Sequence, residues 1–223
     1  MADDLRRQAH RQGSKAIARY RAAKYRRAIG PANKAETALF QLVTAERDPA
    51  AAYAFGEVAA VRSVTMTVLR GDLPAVVAVQ AARAALWAFD RAAEDTDGAD
   101  EPRTGFHWSD DDPRTLPRGR RLAAAADARL ALAERLVAHP RQPADPTALG
   151  ADPLRDPTAE ELVWRYHPGT PDLDTHDEAA ELVRDAVQTY EDLAAAADRF
   201  GLAGQERARD RAAGIEGQLR RSG

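Results

Sequence analysis

The fold is decided by the stretch from residue 48 to residue 93, which reads DPAAAYAFGEVAAVRSVTMTVLRGDLPAVVAVQAARAALWAFDRAA. It holds the densest run of large apolar side chains in the chain. Asp48-Pro49 and Asp72-Leu73-Pro74 predict two helix starts, because aspartate caps free N–H groups and proline fits the first turn. Gly71 is placed to end the first helix in a left-handed cap. Two helices with so short a connection are expected to pack as an antiparallel αα-hairpin.

The two helices of this hairpin differ in how much of their surface is apolar. The first is apolar on several sides and is interrupted mainly by Glu57, Arg62 and Arg70. That pattern predicts an interior helix, and the charges argue against a membrane span. The second helix is expected to bury one face, whose members recur every three or four residues: Val79, Ala82, Leu86, Phe89 and Ala93.

The composition favours closely packed helices with a thin core. Alanine supplies 50 of the 223 residues, whereas Leu, Ile, Val and Phe together supply 39. Alanine is the best helix former, and its small side chain lets helix axes approach each other. We therefore expect an all-α helical bundle built from αα-hairpins, with about seven or eight helices. A core of such small side chains also favours association with a partner chain or with a second copy.

Changes in pattern divide the chain into three parts. Residues 1–94 are predicted to form an N-terminal helical subdomain, and residues 95–117 an acidic linker without periodicity. Residues 118–223 are predicted to form a C-terminal helical subdomain. It contains a Pro-rich connector at 140–157 and a terminal αα-hairpin at 175–221. The pattern leaves open whether 95–117 separates two domains or crosses one core.

Glycine and proline set the expected helix ends in both halves. The first helix is predicted to run over residues 3–29 and to end at Gly30-Pro31. In the terminal hairpin Gly201 is predicted to cap the first helix, with Leu202 packing back against it. The buried face of that helix is expected to consist of residues that step by four and three: Ala179, Val183, Ala186, Tyr190, Leu193, Ala197 and Phe200.

The N-terminal segment is strongly basic. The first 34 residues contain ten basic and two acidic side chains. Clustered arginines neutralise phosphates, so one alternative is a nucleic-acid-associated protein that binds the phosphate backbone. Its expected contacts are Arg7, Arg11, Lys15, Arg19, Arg26 and Arg27. The other interpretation is that this segment binds an acidic protein surface, such as residues 172–192 of its own or a neighbouring chain.

Four residues are candidates for a protein interface. Trp87 lies off the expected buried face of its helix and is flanked by Arg83 and Arg91. Tryptophan, tyrosine and arginine are the types that dominate interface energetics, so Tyr190 of the terminal hairpin is the fourth candidate. The competing interpretation is that Trp87 is buried against the linker or the helix at 118–138.

Evidence for catalysis is weak in this sequence. Asp172, Asp174 and His176 have the residue types of a metal or acid–base site, which makes a metal-dependent hydrolase a second alternative. Carboxylates at a helix start are also explained by the helix dipole. The four serines lie in no G-x-S-x-G context, and no glycine-rich phosphate loop occurs. No catalytic residue, metal or cofactor is therefore predicted, and a non-enzymatic role is favoured.

The leading hypothesis is an all-α protein-interaction or adaptor protein that binds a partner protein or forms a homo-oligomer. The chain has no cysteine, which fits a reducing compartment. Its polar start lacks the apolar core of an export signal. We therefore expect a cytoplasmic protein without a membrane partner.

Overall fold

The computed structural model describes residues 2–46, 49–69, 72–94, 117–138 and 175–222. Within these ranges the chain is 95% helical and has no strand, so the predicted all-α helical bundle is confirmed. Gly71, residues 95–116 of the predicted linker and the Pro-rich connector 140–157 lie outside the described residues. The described helices are α1 (Ala2–Arg21), α2 (Tyr25–Glu46), α3 (Pro49–Leu69), α4 (Asp72–Ala93), α5 (Arg118–Ala138), α6 (Thr175–Ala195) and α7 (Arg199–Ser222).

Helices that follow each other in sequence also pack against each other. Each of α1 to α6 contacts the next helix, α5 also packs against α7, and α1 touches α3. Residues near the starts of α3, α5 and α7 lie together, since Tyr53, Arg120 and Phe200 line one small cavity. None of the described helices has the combination of length and apolarity required to cross a bilayer.

Two hydrophobic clusters hold the helices together. The aromatic cluster joins α1 to α4 and one side of α5, and it contains Phe40, Tyr53, Phe55, Trp87 and Phe89 among alanines. The C-terminal cluster joins α4 to α7 around small aliphatic side chains and Tyr190. The predicted buried face of α6 is confirmed from Ala179 to Leu193. The prediction extended too far, because Ala197 is exposed in the cap after α6 and Phe200 lies partly buried on α7. Helices α4 and α5, which flank the predicted linker, contribute to both clusters; the division into subdomains stays a prediction.

The predicted face of α4 is buried at Val79, Ala82 and Phe89, but a second side of the helix is buried as well. Val79 and Ala82 belong to the C-terminal cluster, whereas Phe89 belongs to the aromatic cluster and Leu86 packs against both. The physical reason is that α4 packs against both α3 and α5. A helix buried on two sides has no single apolar stripe, and its alanines fill the contacts on either side.

The first helix is shorter than predicted. α1 ends at Arg21 and α2 begins at Tyr25, so Gly30-Pro31 lies inside α2. The chain reverses at Ala23, whose φ is 54°. The N–H groups of Ala23 and Lys24 donate to carbonyls in the last turn of α1. This is a Schellman cap, and it escaped prediction because glycine usually occupies the position that Ala23 takes here.

A side chain of α1 explains why α2 tolerates an internal proline. Pro31 has no N–H to donate to the carbonyl of Arg27, four residues earlier. Arg19 Nη1 donates to that carbonyl instead, at 2.5 Å. A contact between two helices thus replaces the missing bond within one helix.

Gly201 does not end a helix, contrary to prediction. The cap after α6 is formed at Ala197, which has a φ of 54° and donates its N–H to the Ala194 carbonyl at 2.9 Å. Gly201 lies in α7, where an added Cβ would come within 2.4 Å of the Ala194 nitrogen. The glycine therefore permits a close helix crossing. Leu202, predicted to pack back, is 63% exposed.

Candidate binding groove

One groove collects side chains from five helices: α1, α3, α4, α5 and α7. Its volume is about 660 Å³, within the range of roughly 300–1,000 Å³ that ligand clefts occupy. The apolar part of its lining includes Ile17, Ala60, Val61, Val64, Phe89 and Ala131. The groove is therefore a concave and largely apolar surface between helices that are distant in sequence.

Small side chains create this concave surface. Ala82 and Ala85 of α4 and Ala124 and Ala128 of α5 line the groove. Alanine lets the helix backbones approach and adds little bulk above them. Val61 on α3 is only partly buried, although it also packs against the aromatic cluster. The groove is thus a consequence of the alanine-rich composition.

Positively charged side chains outnumber negatively charged ones in the lining of the groove. Two carboxylates, Glu57 and Asp127, face four arginines there: Arg21, Arg135, Arg207 and Arg211. Asp127 pairs with Arg207 at 3.1 Å and with Arg211 at 3.3 Å. Arg211 also binds Glu134 through Nε at 2.8 Å. The lining therefore carries an excess of positive charge, part of which Asp127 neutralises.

Arg135 is the least compensated of these cations. Its Nε is buried and has no hydrogen-bond partner within the described part of the chain. Burial lowers the pKa of the Arg135 guanidinium, because desolvation disfavours the charged form; Glu134 opposes this effect and Arg211 adds to it. Arginine nevertheless stays protonated in proteins. The wall of the groove therefore holds a partly desolvated positive charge.

Tyr190 supports the groove from beneath the surface. Its side chain is buried, with 1% exposure. The hydroxyl donates to the Ala123 carbonyl at 3.3 Å and accepts from Arg207 Nη2 at 3.4 Å. Burial raises the pKa of Tyr190 to about 12, with the nearby Asp127 carboxylate adding to the rise. As an interface candidate, Tyr190 has no exposed ring in the described fold.

Trp87 packs between two other rings of the aromatic cluster. Its ring centroid lies 5.7 Å from that of Phe40 and 5.8 Å from that of Phe55. The side chain is partly buried, and its neighbours come from α2 and α3. The alternative expectation had been burial against the linker or the helix at 118–138. A role for Trp87 in a protein interface stays a prediction.

The two arginines that flank Trp87 have separate partners. Arg83 forms a bidentate pair with Glu178 of α6, in which the Nη2–Oε2 distance is 2.7 Å. This pair is largely buried and ties α4 to α6. Arg91 binds Glu94 at 3.0 Å on the surface. Arg83 therefore holds two helices together. Of the two arginines, Arg91 is the one with a well-exposed side chain.

The basic residues at the start of the chain are mostly on the surface. Arg7 pairs with Asp4 at 2.6 Å, and Arg19 is engaged by the backbone of α2. Helix α1 packs against α2 and α3. Binding of nucleic acid or of an acidic surface by this segment stays a prediction. Of the six predicted contacts, Arg19 is partly buried and the others are exposed: Arg7, Arg11, Lys15, Arg26 and Arg27.

The residues behind the metal-dependent hydrolase alternative are only partly described. Asp172 and Asp174 lie outside the described residues, and His176 lies in the first turn of α6. Across the ranges that the structure covers, no group of three or more His, Asp and Glu side chains could hold a metal ion. The hydrolase alternative stays a prediction.

Comparisons with protein-family models, curated proteins and solved structures find no match to this chain. The groove was not predicted from the sequence, because its lining comes from helices that are far apart in the chain. One local signal existed. Ala124, Ala128, Ala131 and Arg135 are spaced by four, three and four residues on α5. They form a stripe of small side chains that ends in an arginine.

Proposed function

We propose that this protein is a protein-interaction module that binds a segment of a partner protein in the groove between α1, α3, α4, α5 and α7. The observation that carries the proposal is the partly exposed apolar lining, which includes Val61 and Val64. Binding sites are typically concave and apolar, with a few polar groups that fix orientation. The groove is concave, largely apolar and lined by a few charged side chains, as such binding sites are.

The polar groups of the groove favour binding over chemistry. Ser63 Oγ donates to the Ala78 carbonyl at 2.8 Å, so its hydroxyl is held by backbone. Asp127 is bound by two arginines. A nucleophile needs an adjacent base and a general base needs a reachable proton. The contacts of these two side chains support neither role.

Peptide display provides the direct test. The purified protein is used to select binders from a random peptide library, and the binders are then measured against Val61→Asp. A carboxylate on the apolar lining should weaken groove binders at least tenfold, about 1.4 kcal/mol. Val68→Asp is the matched control, because Val68 is on the same helix and is 47% exposed, and it is not part of the groove lining.

The selection decides the proposal in either direction. Binders that lose affinity in Val61→Asp and keep it in Val68→Asp support the groove as the interaction site. If no selected peptide distinguishes the two variants, the groove is not the binding surface and the proposal fails.

Nucleic-acid binding is the second candidate, supported by the exposed cations of α1 and of the first turn of α2. Arg19 should be left intact in its test, because it donates to the Arg27 carbonyl. We therefore propose replacing Arg11, Lys15 and Arg26 by alanine and measuring mobility shifts of duplex DNA and of RNA across a salt series. Binding should weaken steeply with salt and drop in the variant. A lack of any shift at low salt would exclude this candidate.

A further inference from the structure

Charge on the groove wall indicates which kind of partner segment would fit. Arg21 on α1 and Arg135 on α5 both line the groove, and neither pairs with a carboxylate among the residues that the structure describes. Arg21 is exposed, whereas Arg135 is partly buried, and a charge removed from water is costly unless it is paired. A ligand carboxylate at Arg135 would supply the missing partner, and complementary charge would also speed association.

The backbone requirements of a ligand favour a helix. An extended peptide leaves N–H and C=O groups that need partners when they are buried. Two polar side chains of the groove are already engaged, since Ser63 donates to backbone and Asp127 is bound by two arginines. The described chain also has no strand edge to which a peptide could be added. A helical segment satisfies its own backbone and places side chains three and four residues apart on one face.

We infer, on the basis of the proposed function, that the partner segment is an acidic amphipathic helix of another protein. Its apolar side chains contact Val61 and Val64, and a carboxylate pairs with Arg135. The groove is concave, apolar along its lining and cationic on α1 and α5, and these three properties complement such a helix. This mode of recognition places an amphipathic helix in an apolar groove.

A second copy of this chain is a less suitable occupant. The acidic helix among the described residues is α6, and its apolar face is already buried in the C-terminal cluster through Ala179, Val183 and Ala186. Presenting that face to another molecule would require the cluster to open. The acidic helix is therefore expected to come from a different protein.

Two designed peptides test the inference. Each is about 16 residues long, above the roughly 12–15 residues that an isolated helix needs, and each carries leucines at i, i+3, i+4 and i+7. One has glutamates on its polar face and the other has lysines. Fluorescence anisotropy with the full chain should show at least tenfold tighter binding of the acidic peptide at low salt. The difference should shrink as salt is added.

Substitution of Arg135 tests whether this residue pairs with the carboxylate of the peptide. Arg135→Met should weaken binding of the acidic peptide about tenfold and should not weaken binding of the lysine peptide, because it removes a repelling charge. Arg184→Met is the matched control, because Arg184 is exposed on α6 and lies outside the groove lining. It should change neither affinity. Circular dichroism of both variants reports whether the helical fold is retained.

Each outcome has a separate meaning. Equal or tighter binding of the lysine peptide, or an Arg135→Met variant that binds the acidic peptide normally, overturns the inference. If that binding is still lost in Val61→Asp, the proposed function stands. Binding of neither peptide also overturns the inference, while the library selection decides the proposed function independently. A dimer seen by light scattering that is lost in Val61→Asp would assign the groove to a second copy instead.

Discussion

The two hydrophobic clusters hold alanine-rich helices together by different means. In the aromatic cluster, ring contacts connect helices: the centroid distances are 6.2 Å for Phe40–Phe55 and 5.2 Å for Tyr53–Phe89. In the C-terminal part, arginine–carboxylate pairs cross between helices. They comprise Arg207–Asp127, Arg211–Asp127, Arg211–Glu134, Arg209–Glu191, Arg129–Asp90 and Arg83–Glu178. Beside the aromatic cluster, the buried Arg62–Glu36 pair joins α3 to α2 at 3.1 Å.

This difference shows two ways to compensate for the small volume of alanine. Aromatic rings fill space and remove a large apolar area from water, and each contributes several kcal/mol when buried. Ion pairs at partly exposed positions contribute about 0–1 kcal/mol each and are screened by salt. The aromatic cluster should therefore tolerate salt, and removing one of its rings should cost more than removing one ion pair elsewhere.

Phe55→Ala should have the largest effect. Phe55 is fully buried, and its ring contacts those of Phe40 and Trp87. Its removal should lower the free energy of unfolding by about 3–5 kcal/mol, because it loses burial and leaves a cavity. Urea denaturation measures the change. Leu202→Ala, at a position that is 63% exposed, should stay within about 0.5 kcal/mol; similar effects of the two variants would contradict the account of the aromatic cluster.

Gly56→Ala and Gly214→Ala compare a glycine in a tight helix contact with a glycine in open space. An added Cβ at Gly56 would lie 2.7 Å from the Phe89 ring, which is itself buried. The variant should lose about 1–3 kcal/mol, since the ring must move within a packed core. Gly214 has no neighbour within 4 Å of an added Cβ, so Gly214→Ala should gain about 0.5–1 kcal/mol. Thermal or urea unfolding that gives both substitutions the same sign would count against the α3–α4 crossing.

Tyr190→Phe tests the C-terminal cluster through pH. The hydroxyl has a pKa of about 12 in the folded protein and about 10 in an unfolded chain. The unfolded state therefore loses its proton first, and stability falls as pH rises between these values. From about pH 9 to about pH 11 the wild type should lose about 1 kcal/mol relative to Tyr190→Phe. Parallel pH dependence of the two proteins would show that Tyr190 is accessible to solvent.

Asp127→Asn should have the smallest effect. It weakens the pairs with both Arg207 and Arg211, which are partly exposed, so the expected loss is about 0.5–1 kcal/mol. The loss should diminish when urea unfolding is repeated in high salt, because salt screens the pairs already in the wild type. Glu181→Gln, which affects an exposed pair within α6 at 3.8 Å, serves as the control. A salt-independent loss at Asp127 would point to packing rather than charge.

The helices could be predicted from the sequence because their apolar spacing is a local property. The buried face of α6 follows from steps of three and four that end at Leu193. Helix ends were less predictable. Ala23 and Ala197 both adopt positive φ, a conformation that is not expected of alanine from its sequence position. Gly30 and Gly201, where helix ends were expected, lie inside helices. A glycine can serve a close crossing as well as a cap, and the sequence does not distinguish these uses.

The groove could not be predicted because it depends on which helices come together. Ile17, Val61 and Arg135 lie on α1, α3 and α5, and no short motif connects them. The candidates Trp87 and Arg83 were chosen for their residue types. In the structure Trp87 packs on rings of α2 and α3, and Arg83 binds Glu178. Residue type alone does not reveal whether a large side chain is used for packing or for recognition.

The chain contains three isoleucines, and this makes one measurement especially direct. Ile17 lines the groove, Ile29 lies on α2, and Ile215 is buried in the C-terminal cluster. A methyl NMR spectrum of isoleucine-labelled protein, titrated with a peptide selected from the library, should show a shifted or broadened Ile17 signal and nearly unchanged signals from the other two. Perturbation of Ile29 or Ile215 with Ile17 unaffected would contradict the assignment of the groove as the binding site.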